Sequence, residues 1–271
     1  MVRAFVRAGH RVRYHSLQAA HWKRSLSKGV DVVVAVGGDG AVAKIAIALS
    51  KRSRPSTPLT VIPAGTANNI ARGLGIVGTV AQVATRLEHA TKKRLAIGVA
   101  RGPWGKRRFV ESAGIGPIAS LLTVELATLT AGLAYVRSLV SPELVQFRAL
   151  RVSADGEDLR GRYAMAQAMN IPAIGPRLAF APDADPGDEA LDLVLIDEKR
   201  LPAFRHYLAQ LAAGRRVRCP IAAIRARRVE IGPWPAHHGG HVDDKVWPHK
   251  NGMTAANVII RVAASIPVLV P

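Results

Sequence analysis

The sequence predicts an α/β protein in two parts, an N-terminal domain on a parallel sheet and a C-terminal domain of mostly antiparallel strands. Three observations carry that expectation. The run Asp31-Val-Val-Val-Ala-Val36 is continuous and β-branched, as befits a strand buried on both faces of a parallel sheet. A glycine-rich turn, a segment of helical period and a second apolar run follow it, the β-loop-α-β order of a parallel sheet. Beyond residue 140, short alternating segments surround Ala154-Asp-Gly-Glu157, which reads as a hairpin tip.

Taken in chain order, residues 1–8 read as a short helix ending at Gly9. Arg11–Tyr14 alternates as a short strand would, and Gln18–Lys28 suits a helix. After the strand at 31–36 come Gly37-Gly-Asp-Gly40 and a helix over Ala41–Lys51, with Val42, Ile45, Ala46 and Leu49 at helical spacing. The turn-rich stretch Arg52–Pro58 leads to a strand at Leu59–Ile62, the loop Pro63-Ala-Gly-Thr66 and a helix from Asn68 to Leu74. In the second half, Leu144–Val152 and Arg162–Asn170 flank the hairpin tip. Leu191–Ile196, Arg225–Ile231 and Val258–Val262 read as further strands. Arg200–Ala213 reads as a helix with Leu201, Phe204, Leu208 and Leu211 on one side. The domains are expected at 1–98 and 99–271, the final strand returning toward the first.

Composition narrows the function classes. The chain has 271 residues, 49% of them hydrophobic and 21% charged, which excludes a disordered tail. Its one cysteine, Cys219, excludes an internal disulfide. The net charge is +19, and residues 1–135 hold 20 basic against 5 acidic side chains. Such a field attracts phosphates of nucleotides, nucleic acids or anionic lipid headgroups. Aromatics are only 5%, and no zinc finger or base-stacking motif is visible, so nucleic acid is the disfavoured partner. The N-terminus reads as carrying no secretion signal, and the expected location is cytoplasmic with reversible membrane association. Ala113–Val136 is long enough to cross a bilayer, but it holds Pro117 and a central Glu125 and reads as a core helix.

The chemistry concentrates in two loops. In Gly37-Gly38-Asp39-Gly40, between a buried strand and a helix, glycines let backbone N–H groups approach a phosphate, and the helix N-terminus adds a favourable dipole. Pro63-Ala-Gly-Thr66-Ala-Asn68-Asn69 ends the next strand with a hydroxyl and two amides, where Thr66 and Asn68 can donate to phosphate or ribose oxygens. The structural alternative makes the first loop an ordinary tight turn and Asn68 or Asn69 a helix cap. Consecutive parallel strands place both loops at one crevice.

The pairing of Val36-Gly-Gly-Asp-Gly40 with Ile62-Pro-Ala-Gly-Thr-Ala-Asn-Asn-Ile-Ala-Arg72-Gly-Leu-Gly75 resembles the catalytic domain of diacylglycerol kinases, sphingosine kinases and bacterial lipid kinases, within a superfamily that includes NAD kinases. Phe109-Val-Glu-Ser-Ala-Gly-Ile-Gly116, Ala181-Pro-Asp-Ala184, Leu191-Asp-Leu-Val194 and Val242-Asp-Asp-Lys245 extend the resemblance along the chain. It implies an ATP-binding α/β domain, a β-rich lipid-substrate domain and magnesium. It assigns the nucleotide to Gly37, Gly38, Asp39, Gly40 and Thr66, with Ser16 as a further contact. It matches Asp188 to a residue supporting magnesium, and leaves Asp243 or Asp244, with Asp243 preferred, beside Asp39 as the catalytic carboxylates. The substrate implied is a diacylglycerol-like or sphingoid lipid, reached from an anionic membrane surface. A homodimer is left open.

The chain also departs from the pattern. Ala41 stands where the family has Thr, Ala43 and Lys44 replace Asn-Glu, Glu189 replaces a glycine, and Lys245 occupies the place of the late glutamate. The family's first strand is not seen in the sequence as it is read from Met1. These departures keep two other readings open, a non-catalytic nucleotide- or lipid-binding homologue and an NAD kinase-like enzyme. Asp155-Gly-Glu157 spells the family's late motif but reads as a turn. His237, His238, His241 and His249 fit no zinc spacing. Basic clusters at Lys92–Arg94, Lys106–Arg108, Arg215–Arg218 and Arg225–Arg228 read as solvated surface or as an aid to docking on an anionic leaflet.

Overall fold

The two glycine loops sit at the carboxyl ends of adjacent parallel strands. This is seen in the computed structural model, which describes residues 1–26, 29–52, 57–121, 131, 145–175, 177–234, 239–247 and 256–271. Strand β1 (Val33–Gly37) pairs in parallel with β2 (Leu59–Pro63), from Val33↔Leu59 to Gly37↔Pro63. Helix α1 (Val2–Arg7) precedes them, α2 (Asp39–Ser50) joins them, and α3 (Asn69–Gly73) and α4 (Val80–Arg86) follow. Thr79 caps α4 through a reciprocal pair with Gln82. The inner faces of α2, α3 and the strands bury Val42, Leu49, Leu59, Val61 and Ile70 in one core.

Next come β3 (Thr91–Gly102), β4 (Gly105–Phe109), β5 (Ser112–Ile115) and the short α5 (Pro117–Leu121). The remaining strands are β6 (Arg148–Ala154), β7 (Glu157–Asp158), β8 (Gly161–Tyr163), β9 (Met165–Met169), β10 (Leu191–Ile196), β11 (Ile224–Ala226), β12 (Arg228–Trp234), β13 (Gly240–Val242), β14 (Lys245–Val246) and β15 (Ala256–Val270). Helix α6 (Leu201–Ala212) buries Leu201, Phe204, Tyr207 and Leu208.

Two sheets result. One runs β1-β2-β15-β12-β6-β7, with β3 and β4 continuing from β15 and β8 joined to β6; the other runs β11-β10-β9-β5-β13-β14. Strand β15 joins the two halves of the chain: it is antiparallel to β3 and β12 and parallel to β2 at Val268↔Leu59. The inner faces of the two sheets enclose a core that includes Phe109, Val152, Leu193, Val229, Trp234 and Ile260. Gly161–Tyr163 pairs with β6 in the first sheet, and the chain then passes to the second sheet as β9. The expected strand at 162–170 is therefore split between sheets. Asp155 and Gly156 both have positive φ, and the hairpin tip is a turn as read.

Several sequence expectations need correction. Arg11–Tyr14 forms no strand; all four residues are exposed, and no neighbouring strand pairs with them. Of Gln18–Lys28, only Trp22–Leu26 is helical, as a 3-10 turn with no fully buried residue, because Leu17, Trp22 and Leu26 alone lean on the core. Strand β1 is not buried on both faces. Among the described residues it pairs only with β2 and forms the sheet edge, which leaves Val36 38% exposed. Within Ala113–Val136, a strand and the short α5 replace the start of the expected helix; 122–130 and 132–136 lie outside the described residues. No helix among those residues is long and apolar enough to cross a membrane.

Candidate active site

The two loops touch through their glycines. The Ala64 N–H donates to the Gly37 carbonyl at 3.1 Å. A Cβ on Gly65 would lie 2.4 Å from the Gly38 Cα, so the approach of the two backbones requires glycine. Gly38 then caps α2 with extended backbone and no side-chain bond. The leading N–H groups of a helix lack intrahelical acceptors, and here they open beside the second loop. Asp39 sits in the first turn, and its Oδ1 accepts the Ile70 N–H at 2.9 Å, tying α2 to α3.

The second loop is closed by Asn68. In the left-handed region (φ 54°), its amide donates to the Gly65 carbonyl at 2.7 Å and accepts the Gly65 N–H at 2.9 Å. Its side chain thus shapes the loop. Thr66 is exposed at the crest. Arg177, from the C-terminal half, reaches across to the carbonyls of Ala67 (3.2 Å) and Thr66 (3.3 Å) and brings a guanidinium to the mouth of the loop. No local pattern in the sequence marked Arg177.

A cleft of about 140 Å³ faces these loops, lined by Asp39, Gly40, Asn69, Glu111, Asp243 and Asp244 among others. Asp243 and Asp244 occupy the turn between β13 and β14, where Asp243 has φ 49°. The Asp243 carboxylate accepts N–H groups of Val110 (2.9 Å), Glu111 (2.7 Å) and Ser112 (3.4 Å), which anchors the turn to the start of β5. Asp244 is exposed, and its Oδ2 comes within 3.5 Å of the position a Cβ on Gly40 would take. Glu111 lies between. Burial first, then the charges of Asp39 and Asp243, hold its carboxyl well above the usual range, against the lowering bond from Asn69 at 3.3 Å. Asn69 is buried, and its Oδ1 meets no donor among the described residues. Glu111 was legible only as a lone carboxylate in the apolar run Phe109–Ile115.

Buried His241 supports the turn from beneath. Its Nδ1 lies 2.9 Å from the Asp243 carbonyl, and its Nε2 lies 2.8 Å from the Gln167 amide nitrogen. This arrangement puts the proton on Nδ1, where it donates, and leaves Nε2 as acceptor. His237, His238 and His249 lie outside the described residues.

Burial drives His241 down to about 4 and Asp243 up to about 7, the latter against its three backbone bonds. The two oppose each other in stability. The His241 contribution is full above its ordinary value of 6.5 and lost as pH falls toward 4. The Asp243 contribution, with Glu111 acting in the same sense, is full below 3.8 and lost as pH rises through about 7. At about 1.4 kcal/mol per pKa unit the contribution is roughly 3–4 kcal/mol for His241 and roughly 4–5 kcal/mol for Asp243. Asp243 and Glu111 act together against His241 alone, so stability is expected to rise on acidification from pH 6.5 to 4, by less than the two carboxyls would give by themselves. His241→Gln removes the opposing titration and should become more stable on acidification from pH 7 to 4. Urea midpoints across that window check it; an acid-labile variant contradicts it.

The remaining sequence-assigned residues lie elsewhere. Ser16 is exposed, and its Oγ accepts the Gln18 N–H at 3.2 Å; it is not among the residues lining the cleft. Asp188 accepts the Ala190 N–H at 2.9 Å and pairs with Arg225 at 2.7 Å. The Arg225 guanidinium meets the Asp188 charge, and among the described residues no group of three or more His, Cys, Asp or Glu is arranged to hold an ion.

Comparison with known proteins matches this architecture. The family described as "Diacylglycerol kinase catalytic domain" matches residues 4–100, and "YegS C-terminal NAD kinase beta sandwich-like domain" matches residues 110–252. A diacylglycerol kinase of Bacillus subtilis (strain 168) is 24% identical over 242 residues, covering 85% of this chain and 78% of the relative. Among solved structures, a diacylglycerol kinase from Bacillus anthracis str. Sterne superposes with a TM-score of 0.69 at 17% identity, over 100% of this chain and 90% of that one. Yeast NADH kinase complexed with NADH gives 0.50 at 10% identity, over 89% and 63%. At these identities the structural likenesses establish a shared fold.

Proposed function

The chain belongs to the diacylglycerol kinase family, a family of lipid kinases, and from that premise we propose that it transfers the γ-phosphoryl group of ATP to a hydroxyl of a diacylglycerol-like or sphingoid lipid. The observation that carries the reading is the glycine-to-glycine contact of the two loops, which opens the α2 N-terminus toward a cleft edged by carboxylates. Phosphoryl transfer depends chiefly on positioning and on offsetting charge. Backbone N–H groups of Gly38–Gly40, the Thr66 hydroxyl and the Arg177 guanidinium hold the triphosphate. Asp39 keeps α2 and α3 in register through Ile70. Magnesium arrives with ATP as part of the substrate and offsets phosphate charge. No step runs through Asp188.

The hydroxyl is oriented, and its proton accepted, by Asp244. Asp243 has its carboxylate occupied by three backbone amides and acts as the anchor of the turn, whereas Asp244 is free toward Gly40. The test is incubation of the full chain with labelled ATP, magnesium and a lipid panel. Label on a lipid is expected; ATP binding without transfer to any lipid would defeat the proposal. Formation of NADP from NAD would instead select the NAD kinase-like reading. Lys245, exposed beside Asp244, is the observation that favours a non-catalytic homologue.

A further inference from the structure

The solvent face of the larger sheet carries a band of cations with no part in the site described above. Directly opposed residues of antiparallel strands share a face. The register sets Lys106 beside Arg101 and Arg108 beside Val99. It then sets Arg101 beside Ile259 and Val99 beside Arg261. Arg261 faces Arg228 directly, and Arg151 joins the same face opposite Gly232. The band therefore crosses β4-β3-β15-β12-β6, a width of about 19 Å at roughly 4.8 Å per strand. It begins where α2 ends: the Arg108 guanidinium donates to Ser50 Oγ at 3.0 Å.

The charges on this face are not balanced from within. Arg228 has a partner in Glu230 at 2.5 Å. Arg261 donates to the Val262 carbonyl and, like the exposed Arg101, Lys106 and Arg151, makes no ion pair among the described residues. Like charges set directly across a strand pair destabilise a sheet. Ile259 is half-buried and Val99 buried between exposed arginines, a setting in which long aliphatic stems cover apolar neighbours and charged heads reach water. Such an arrangement complements a flat anionic surface.

We propose that this sheet face docks the protein on an anionic lipid bilayer. A nucleic acid is the poorer fit. Among the described residues the face projects no helix or ribbon into a groove, and those that form it include no aromatic ring on which a base could stack. The inference stands apart from the kinase reading, because it concerns binding in the absence of nucleotide.

Co-sedimentation of the full chain with vesicles tests it. At about 0.1 M salt the protein should bind phosphatidylglycerol–phosphatidylcholine vesicles, ignore pure phosphatidylcholine, and weaken as salt shortens the screening length. Arg101→Gln/Arg151→Gln/Arg261→Gln should lower partitioning about a hundred-fold. Arg3→Gln/Arg7→Gln/Arg11→Gln, the same charge change on exposed residues at the N-terminus, should lower it less than about ten-fold. The first variant should melt no lower than the parent, since it relieves the Arg261–Arg228 opposition, so a loss of binding is not a loss of fold. Absence of binding to the anionic vesicles, equal losses in the two variants, or duplex DNA bound more tightly than the vesicles would each overturn the proposal.

Discussion

Gly65→Ala should abolish saturable binding of magnesium-ATP, lowering affinity by about a hundred-fold or more, as expected when an anchoring element shifts by about 1 Å. The new Cβ would sit 2.4 Å from the Gly38 Cα and 3.1 Å from the Gly38 nitrogen. These are backbone atoms, so no rotamer relieves the contact and the loops must part. Gly38 is also the N-cap of α2, so the shift moves the helix N-terminus and strains the Asp39–Ile70 bond. The cost to stability should be about 1–3 kcal/mol, typical of overpacking. Calorimetric titration and thermal unfolding read the two effects separately. Gly9→Ala is the control: Gly9, unlike Gly65, has a positive φ, but nothing lies within 4 Å of its added Cβ, so it should lose a little stability and no affinity. Ordinary ATP binding by Gly65→Ala would show that the triphosphate does not sit where the loops meet.

Asp244→Asn should cut turnover by about 10²–10⁴, the usual range for removing a proton acceptor, with nucleotide affinity changed only slightly. Asp243→Asn should act differently. It replaces the acceptor of three buried N–H groups with an amide that offers fewer acceptor sites, so its main effect should be a loss of about 3 kcal/mol in stability. Measuring turnover and melting temperature for both variants separates the roles. Full activity in Asp244→Asn would return the hydroxyl-activating role to another group. Lys245→Glu discriminates further. With Asp244 already facing Gly40, it should change turnover little; a large gain would place the carboxylate function at 245.

The glycine loops were readable because their signals are local. A β-branched run, a glycine cluster and a helical period lie within about twenty residues, and backbone sterics at each glycine act on near neighbours. The same holds for the Asp155–Gly156 turn and for α6. The readings that failed were segments whose fate depended on a distant partner. Arg11–Tyr14 alternates correctly, yet a strand needs a neighbour to accept its hydrogen bonds. Val36 belongs to a run suited to burial, yet its exposure follows from the position of β1 at the sheet edge.

In the site, the sequence alone established the two loops, their order and the carboxylates available at the late turn. It could not distribute roles among them. Asp243 and Asp244 are adjacent and chemically alike, and what separates them is that Val110, Glu111 and Ser112, more than 130 residues earlier in the chain, present their N–H groups to one and not the other. Arg177 reaches Thr66 across a separation of 111 residues, and Asp188 meets Arg225. Hydrogen bonds and charge pairs are made between atoms a few ångströms apart whatever their distance along the chain, so residue type and local pattern gave the inventory, and long-range packing assigned each carboxylate its partner.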